Sequence, residues 1–303
     1  MGPVRIAALA IAAAASAPAQ QQPVFRTDVR LVRLLATVRN LEGKLTGGLQ
    51  KSDFTIHDNS VKQEIAIFER TTEQPLSIAL LMDKSGSIAK DLKIALDSVK
   101  RFLQALFREG NRLDEISLFS FNWQVEQHIG FTRNIAEIEK RVQPIKAEAG
   151  TSLYDAIHFG ARALATRAGR HVILVVTDGG DTTSALKYHD ALEAAHRADA
   201  PIYSIVLMPI TNDAGRNIGG ENALTTLAQS TGGKVFTPTV GPELDRALSD
   251  ILMDLRTQYL IAYYPKNIPP SKERFHRIRL ELSRPDLRAV TRSGYYGDAE
   301  PDR

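Results

Sequence analysis

The chain has 303 residues, 43% of them apolar and 24% charged, with 20 Gly and 14 Pro; these values exclude collagen-like repeats, wholesale disorder and a polytopic membrane protein. Lys and Arg total 38 against 35 Asp and Glu, a balance too even to mark nucleic acid as the partner. With no cysteine present, disulfide scaffolds, thiolate nucleophiles, zinc–thiolate sites and lipidation on Cys are excluded as well.

Residues 1–19 read as a leader. Arg5 supplies the positive start, Ile6 to Ala17 the short apolar stretch, and Ala17-Pro18-Ala19 the small residues of a cleavage site. The expectation is an exported mature chain starting near Gln20, either periplasmic, envelope-associated or secreted. No later stretch reaches the roughly 20 apolar residues of a membrane span. Residues 24–70 read as short strands: a branched run from Val29 to Val38, then Asp53 to His57 and Val61 to Phe68, separated by Gly, Asn and Asp.

The pattern changes over residues 75–256. Leu76 to Met82 is a nearly continuous apolar run, as in a strand buried on both faces. Ile88, Leu92, Ala95, Leu96, Val99, Phe102, Leu103 and Leu106 then recur at helical spacing. Ile116 to Phe121 and Val125 to Ile129 form strands joined by a tight Asn122-Trp123-Gln124 link, which makes one sheet edge antiparallel. Helices are expected over Ile135 to Val142, Leu153 to Ala165, Tyr188 to Ala198, Asn222 to Gln229 and Glu243 to Leu255. Buried strands fall at His171 to Val176 and Ile202 to Met208. Alternating strands and helices predict an α/β fold: a doubly wound, mostly parallel sheet with helices on both faces. Residues 257–298 return to strands, at Tyr259 to Tyr264, Phe275 to Leu282 and Arg288 to Arg292. In the second of these, Arg277, Arg279 and Glu281 alternate with apolar residues as on a solvated face. Each flank is too small to stand alone, so the two are expected to pack as one β module around the inserted α/β domain.

The chemistry concentrates at loops on the carboxyl edge of that sheet, where open α/β folds bind ligands. Asp83-Lys84-Ser85-Gly86-Ser87 follows the first buried strand, Thr177-Asp178-Gly179-Gly180-Asp181 follows another, and Thr151 opens a helix between them. Asp83, Ser85, Ser87, Thr151 and Asp178 are all hard oxygen donors, suited to Mg²⁺ in an octahedral site that keeps some water. Two aspartates balance the ion's charge and the hydroxyls add none, so the metal retains an appetite for one more anionic ligand.

Asp83-x-Ser85-x-Ser87, followed by Thr151 and Asp178, resembles the metal-ion-dependent adhesion site of the von Willebrand factor type A domain at all five positions. The resemblance implies that the serines ligate the metal directly. It implies that Thr151 and the aspartates act directly or through water, and that a partner's Asp or Glu carboxylate completes the octahedron. Mg²⁺ is the implied metal, with Mn²⁺ or Ca²⁺ as substitutes. Beside the resemblance, the loops themselves give a candidate partner-binding rim: Lys84, Asp181, Thr182 and, in the polar loop Thr211 to Glu221 that also leaves a strand at its carboxyl end, Asn212, Asp213 and Asn217. The flanks, at Gly48 to Phe54, Tyr259 to Pro265 and Arg292-Ser293-Gly294-Tyr295-Tyr296, resemble an exported bacterial family related to this domain and known chiefly from acidobacteria.

Competing readings fit less well. A helix cap explains Asp83, Ser85 and Ser87 alone but not Thr151 and Asp178. A calcium EF-hand loop needs an acid where Ile94 stands, and a hydrolase elbow needs glycine where Asp83 stands. There is no Walker A loop, and His189 and His196 read as ordinary helix residues. The sequence therefore points to a non-enzymatic, metal-dependent protein-binding module. A metal-assisted phosphohydrolase on the same acidic edge, or a purely structural metal site, is the alternative.

Overall fold

The computed structural model describes residues 31–70, 74–142, 148–208, 218–269 and 274–297, so the expected leader lies outside the described residues. The branched run forms β1 (Val32–Asn40), whose side chains alternate between buried and half-buried as far as Ala36, as a strand with one face on a core requires. β2 (Phe54–Asp58) and β3 (Val61–Gln63) are joined by Asn59 and Ser60, both at positive φ, the conformation that suits a two-residue hairpin turn. β4 (Ile65–Arg70) follows at once. The expected single strand from Val61 to Phe68 is thus split at Glu64. The reason is tertiary: β3 pairs with β2, whereas β4 pairs with a strand from the far end of the chain.

β5 (Leu76–Asp83) is buried at every position. α1 (Leu92–Glu109) follows, then β6 (Glu115–Phe121), β7 (Val125–Thr132), α2 (Ile135–Val142) and α3 (Leu153–Leu164). β8 (Arg170–Thr177) is again buried throughout, and α4 (Tyr188–Arg197), β9 (Ile202–Val206), α5 (Ile218–Thr231), β10 (Val235–Phe236) and α6 (Pro242–Thr257) complete the domain. The strand order is β10-β9-β8-β5-β6-β7. Pairing is parallel throughout except at β7, the antiparallel edge. One apolar layer packs α1 and α6 on one face of this sheet, and another packs α3, α4 and α5 on the other. The protein is α/β, with a mostly parallel sheet covered on both sides.

Two helix starts depart from expectation. The helix expected from Ile88 begins with a 3₁₀ turn at Ser87–Lys90, and the α-helix starts only at Leu92. α5 starts at Ile218 instead of Asn222, in spite of two glycines that disfavour helix. Packing overrides propensity there: a Cβ at Gly220 would sit 2.3 Å from the Gly180 Cα, so only glycine lets the helix approach that loop.

β11 (Tyr259–Tyr263), β12 (Phe275–Leu282), β13 (Leu287–Val290) and β14 (Gly294–Tyr296) come from the C-terminal flank. They join the N-terminal strands in two sheets, ordered β13-β1-β11-β4 and β14-β12-β2-β3. Leu34, Ile56, Tyr259, Ile261 and Tyr263 belong to one apolar core between these sheets. Polar ties hold this module to the α/β domain. Arg39 pairs with Asp254 and Arg292 with Asp199, and Gln258 Nε2 donates to the Tyr203 hydroxyl at 3.3 Å. The His196 ring packs against Phe275, with centroids 5.1 Å apart. His196 is thus a module contact, and burial among these rings pushes its imidazole down to about 4.

Candidate metal centre

Four loops meet at the carboxyl edge of the main sheet. Asp83, the last residue of β5, is fully buried. Its Oδ1 accepts the Ser85 backbone N–H at 2.7 Å and its Oδ2 accepts the Thr177 hydroxyl at 2.5 Å. The first bond folds the chain back within two residues and aims the loop outward. Ser85 Oγ and Ser87 Oγ then lie 3.1 Å apart, and Ser87 Oγ donates to Asp178 Oδ1 at 3.1 Å. Ser85, Ser87 and Asp178 therefore form one connected set of oxygens from loops 91 residues apart in sequence, and Asp83 is tied to it through the Ser85 backbone N–H.

The loop bearing Thr151 is brought alongside. Glu148 N–H donates to the Lys84 carbonyl at 2.8 Å, and Ser152 N–H to the Asn122 carbonyl at 2.6 Å. Thr151 itself is 8% exposed; its N–H donates to Thr182 Oγ1 at 2.9 Å, and its carbonyl accepts the Thr182 N–H at 2.8 Å. Gly150 makes this approach possible. It sits at φ +84°, and a Cβ there would lie 2.9 Å from the Trp123 Cβ.

The electrostatics are lopsided. Burial pushes the Asp83 carboxyl up to about 6, and the Asp178 charge adds to the rise. Burial also raises Asp178, with Asp91 adding to it. The adjacent cation, Lys84, turns away, its ammonium 3.5 Å from Glu126 Oε2. Among the described residues, two carboxylates thus share a shielded edge with three hydroxyl-bearing residues and no cation is paired with them. A hard divalent ion supplies the missing charge and accepts neutral hydroxyl oxygens, so these residues fit Mg²⁺. Among the described residues there is no group of three or more His, Cys, Asp or Glu placed to hold a metal. The donor set here is hydroxyl-rich and carries only two acids.

Of the expected rim, Lys84 is tied to Glu126, and Thr182 braces Thr151. Asp181 accepts the Tyr154 N–H at 3.3 Å and the Ser184 hydroxyl, which anchors the start of α3. Asn212, Asp213 and Asn217 lie outside the described residues. Three contributors escaped the sequence reading: Thr177, which holds Asp83; Asn122, whose side-chain amide donates to Glu148 Oε2 at 2.7 Å; and Trp123, 55% exposed. Thr177 had a usable signal, since it ends a buried strand beside Asp178. Asn122 and Trp123 read only as a turn.

The sequence pattern of the von Willebrand factor type A domain matches residues 77–249, more than half of the chain. No curated protein matches the chain by sequence. Among solved structures, proximal thread matrix protein 1 from the mussel byssus is 16% identical with a TM-score of 0.52, over 66% of this chain and 51% of that one. The protein BatB from Bacteroides thetaiotaomicron is 18% identical with a TM-score of 0.47, over 59% of this chain and 98% of that one. The vWF domain of the type V pili tip protein Mfa5 from Porphyromonas gingivalis is 15% identical with a TM-score of 0.47, over 60% and 95%. At these identities the likeness concerns the fold.

Proposed function

This chain belongs to the von Willebrand factor type A domain family, and we propose that it is a metal-dependent protein-binding module that captures a partner carboxylate. The observation that carries the reading is the set of Ser85, Ser87 and Asp178, linked by contacts of 3.1 Å, with Asp83 held to Ser85 through its backbone N–H at 2.7 Å and no cation paired with either aspartate among the described residues. Ser85, Ser87, Thr151 and the two aspartates are the residues that hold Mg²⁺ in this reading, with Mn²⁺ or Ca²⁺ as substitutes. The ion supplies an electrophilic position for a partner's Asp or Glu. The site then has the five-residue pattern of a metal-ion-dependent adhesion site, in a chain of the exported, acidobacterial type that acts in the periplasm, at the envelope or outside the cell. Among the described residues no helix is long and apolar enough to cross a membrane.

Binding is favoured over turnover because, among the described residues, no histidine is hydrogen-bonded to Asp83, Ser85, Ser87 or Asp178 as a general base. His128, on the neighbouring edge strand, is engaged with Ser120 Oγ at 2.6 Å, and burial lowers its pKa. The test pairs wild type with Ser85→Ala/Thr151→Ala, which removes two neutral donors and no charge. An immobilised Asp-containing peptide should be retained by wild type in Mg²⁺ and released by EDTA, with circular dichroism unchanged. The double variant should bind at least about tenfold more weakly, the worth of one or two lost ligand contacts. Undiminished binding by the variant, or equal binding in EDTA, would refute the reading. Phosphoester hydrolysis abolished by Asp83→Ala would replace it with an enzyme.

A further inference from the structure

We infer that a recess on the opposite edge of the main sheet, where the β module meets the α/β domain, is a second binding site. It takes a small organic anion, a compact apolar body carrying one carboxylate. The inference is independent of the metal centre and of carboxylate capture there.

The position follows from the topology. β5, β8 and β9 run parallel, so Arg170 and His171, which open β8, and Ala200-Pro201, just ahead of β9, lie at the amino edge, away from Asp83 at the end of β5. From the module side the recess is closed by Arg33 and Leu35 of β1 and by Arg292, between β13 and β14. Two glycines let the walls approach. A Cβ at Gly169 (φ +89°) would lie 2.4 Å from the Pro75 carbonyl oxygen, and one at Gly232 (φ +85°) 2.7 Å from the Arg292 backbone nitrogen. Such joints are where ligand pockets commonly form. Leu35, Ala195, Pro201 and Leu260 give this one an apolar wall.

The charge of the lining decides what fits. Three guanidinium groups, of Arg33, Arg170 and Arg292, line the recess against the single carboxylate of Asp199. Asp199 is divided between two of them: Arg292 pairs with its Oδ1, and Arg33 Nη2 stands 3.9 Å from its Oδ2. Arg292 is 8% exposed. Its Nη2 donates to the Arg33 carbonyl at 2.7 Å, but its Nε is buried with no hydrogen-bond partner among the described residues. A buried cation with an idle donor is costly, and a negative group beside it lowers that cost. Arg170 gives Nη2 to the Leu255 carbonyl and the Gln258 side-chain oxygen, both uncharged. Asp114, the acid that attracts Arg170, is not part of the lining. Burial pushes Arg170 down only to about 10, so it stays cationic at neutral pH. An inorganic anion would answer the charge and leave the apolar wall bare, and a neutral apolar molecule would do the reverse. A carboxylate on a compact apolar body does both. Arg33, half-exposed and loosely held by Asp199, is the guanidinium placed to clasp it bidentately.

The experiment is fluorine NMR of para-fluorobenzoate titrated with the full chain in EDTA, which silences the metal centre. Wild type should broaden the fluorine line saturably, and the ligand should raise its melting temperature. Para-fluorobenzamide, of the same shape without the charge, should bind at least about tenfold more weakly, the worth of a charge-assisted pair. Arg33→Ala removes the clasping cation and keeps the backbone carbonyl that Arg292 uses, whereas Leu35→Trp fills the recess. Each should weaken benzoate binding at least about tenfold with circular dichroism unchanged, while Ser85→Ala/Thr151→Ala should bind it like wild type. No saturable binding by wild type, equal binding of the amide, or binding unchanged in both β1 variants overturns the inference. Loss in Ser85→Ala/Thr151→Ala alone also overturns it, by placing the benzoate at the metal centre. None of these results touches carboxylate capture, which is read in Mg²⁺.

Discussion

Replacing Asp58 by alanine should destabilise the β module by about 3–5 kcal/mol, the usual cost of breaking a buried charged network. Asp58 is wholly buried at the end of β2. Its Oδ2 accepts the hydroxyls of Tyr263 and Tyr295, each at 2.8 Å, and its Oδ1 lies 3.1 Å from His276 Nδ1. The His276 ring stacks on Tyr295 with centroids 4.6 Å apart. Burial, reinforced by the Asp58 charge, holds both phenols far above their ordinary range, so they remain proton donors at all physiological pH. Alanine leaves both hydroxyls without their acceptor, and leaves a void where β2, β11, β12 and β14 converge. Asp58→Asn keeps the shape and one strong acceptor, so it should cost distinctly less. Urea unfolding followed by circular dichroism measures both. A loss below about 1 kcal/mol for the alanine variant would show that the network contributes little.

Asp83→Asn should have the opposite effect on the metal-free protein: it should stabilise it at neutral pH while abolishing its response to Mg²⁺. Burial holds the Asp83 carboxyl up at about 6 in the folded state, above its value in the unfolded chain. For a raised pKa, the unfolded state releases its proton first as pH increases. The stability this group contributes is therefore complete below about pH 4 and is lost as pH rises through about 6. At about pH 7.5 the ionised, buried carboxylate costs up to about 3 kcal/mol, which an uncharged asparagine avoids. In EDTA, wild type should melt at a lower temperature at about pH 7.5 than at about pH 5, whereas Asp83→Asn should show little of this decline. Millimolar Mg²⁺ should restore wild type at the higher pH by binding only the folded state, and should leave the variant unmoved. A variant less stable than wild type in EDTA at neutral pH would mean that Asp83 is held for structure and not for charge.

Much of the architecture was legible in single segments. β5 and β8 are continuous apolar runs because both faces of a parallel sheet are covered, and the helices between them carry the 3.6-residue stripe that covers it. Those signals are local, written within about ten neighbouring residues, and they establish the α/β class. The motif loops were legible for the same reason. Asp83 ends β5, and Asp178 follows β8 directly, so chain order alone assigns both to the edge where such sheets bind ligands. The break before Val61 was legible too, from Asp58-Asn59, though not as a hairpin whose two turn residues are Asn59 and Ser60.

Contacts between distant parts of the chain were not legible in this way. Nothing around Glu64 marks the point where one apparent strand divides between two sheets, because the division is made by β11, roughly two hundred residues downstream. α5 begins through two glycines because Gly220 must meet Gly180, and propensity argues against that start. Asp58 read as a turn residue; its role exists only once Tyr263, 205 positions away, turns its hydroxyl toward it. Likewise Asn122 holds Glu148 only after two loops have been folded together by the β6–β7 hairpin and Gly150. Periodicity determined which segments are strands and helices, since burial of a face is a property of each segment. Partner choice and buried polar networks were decided by the tertiary structure, since they depend on residues that only the completed packing brings within 3 Å of one another.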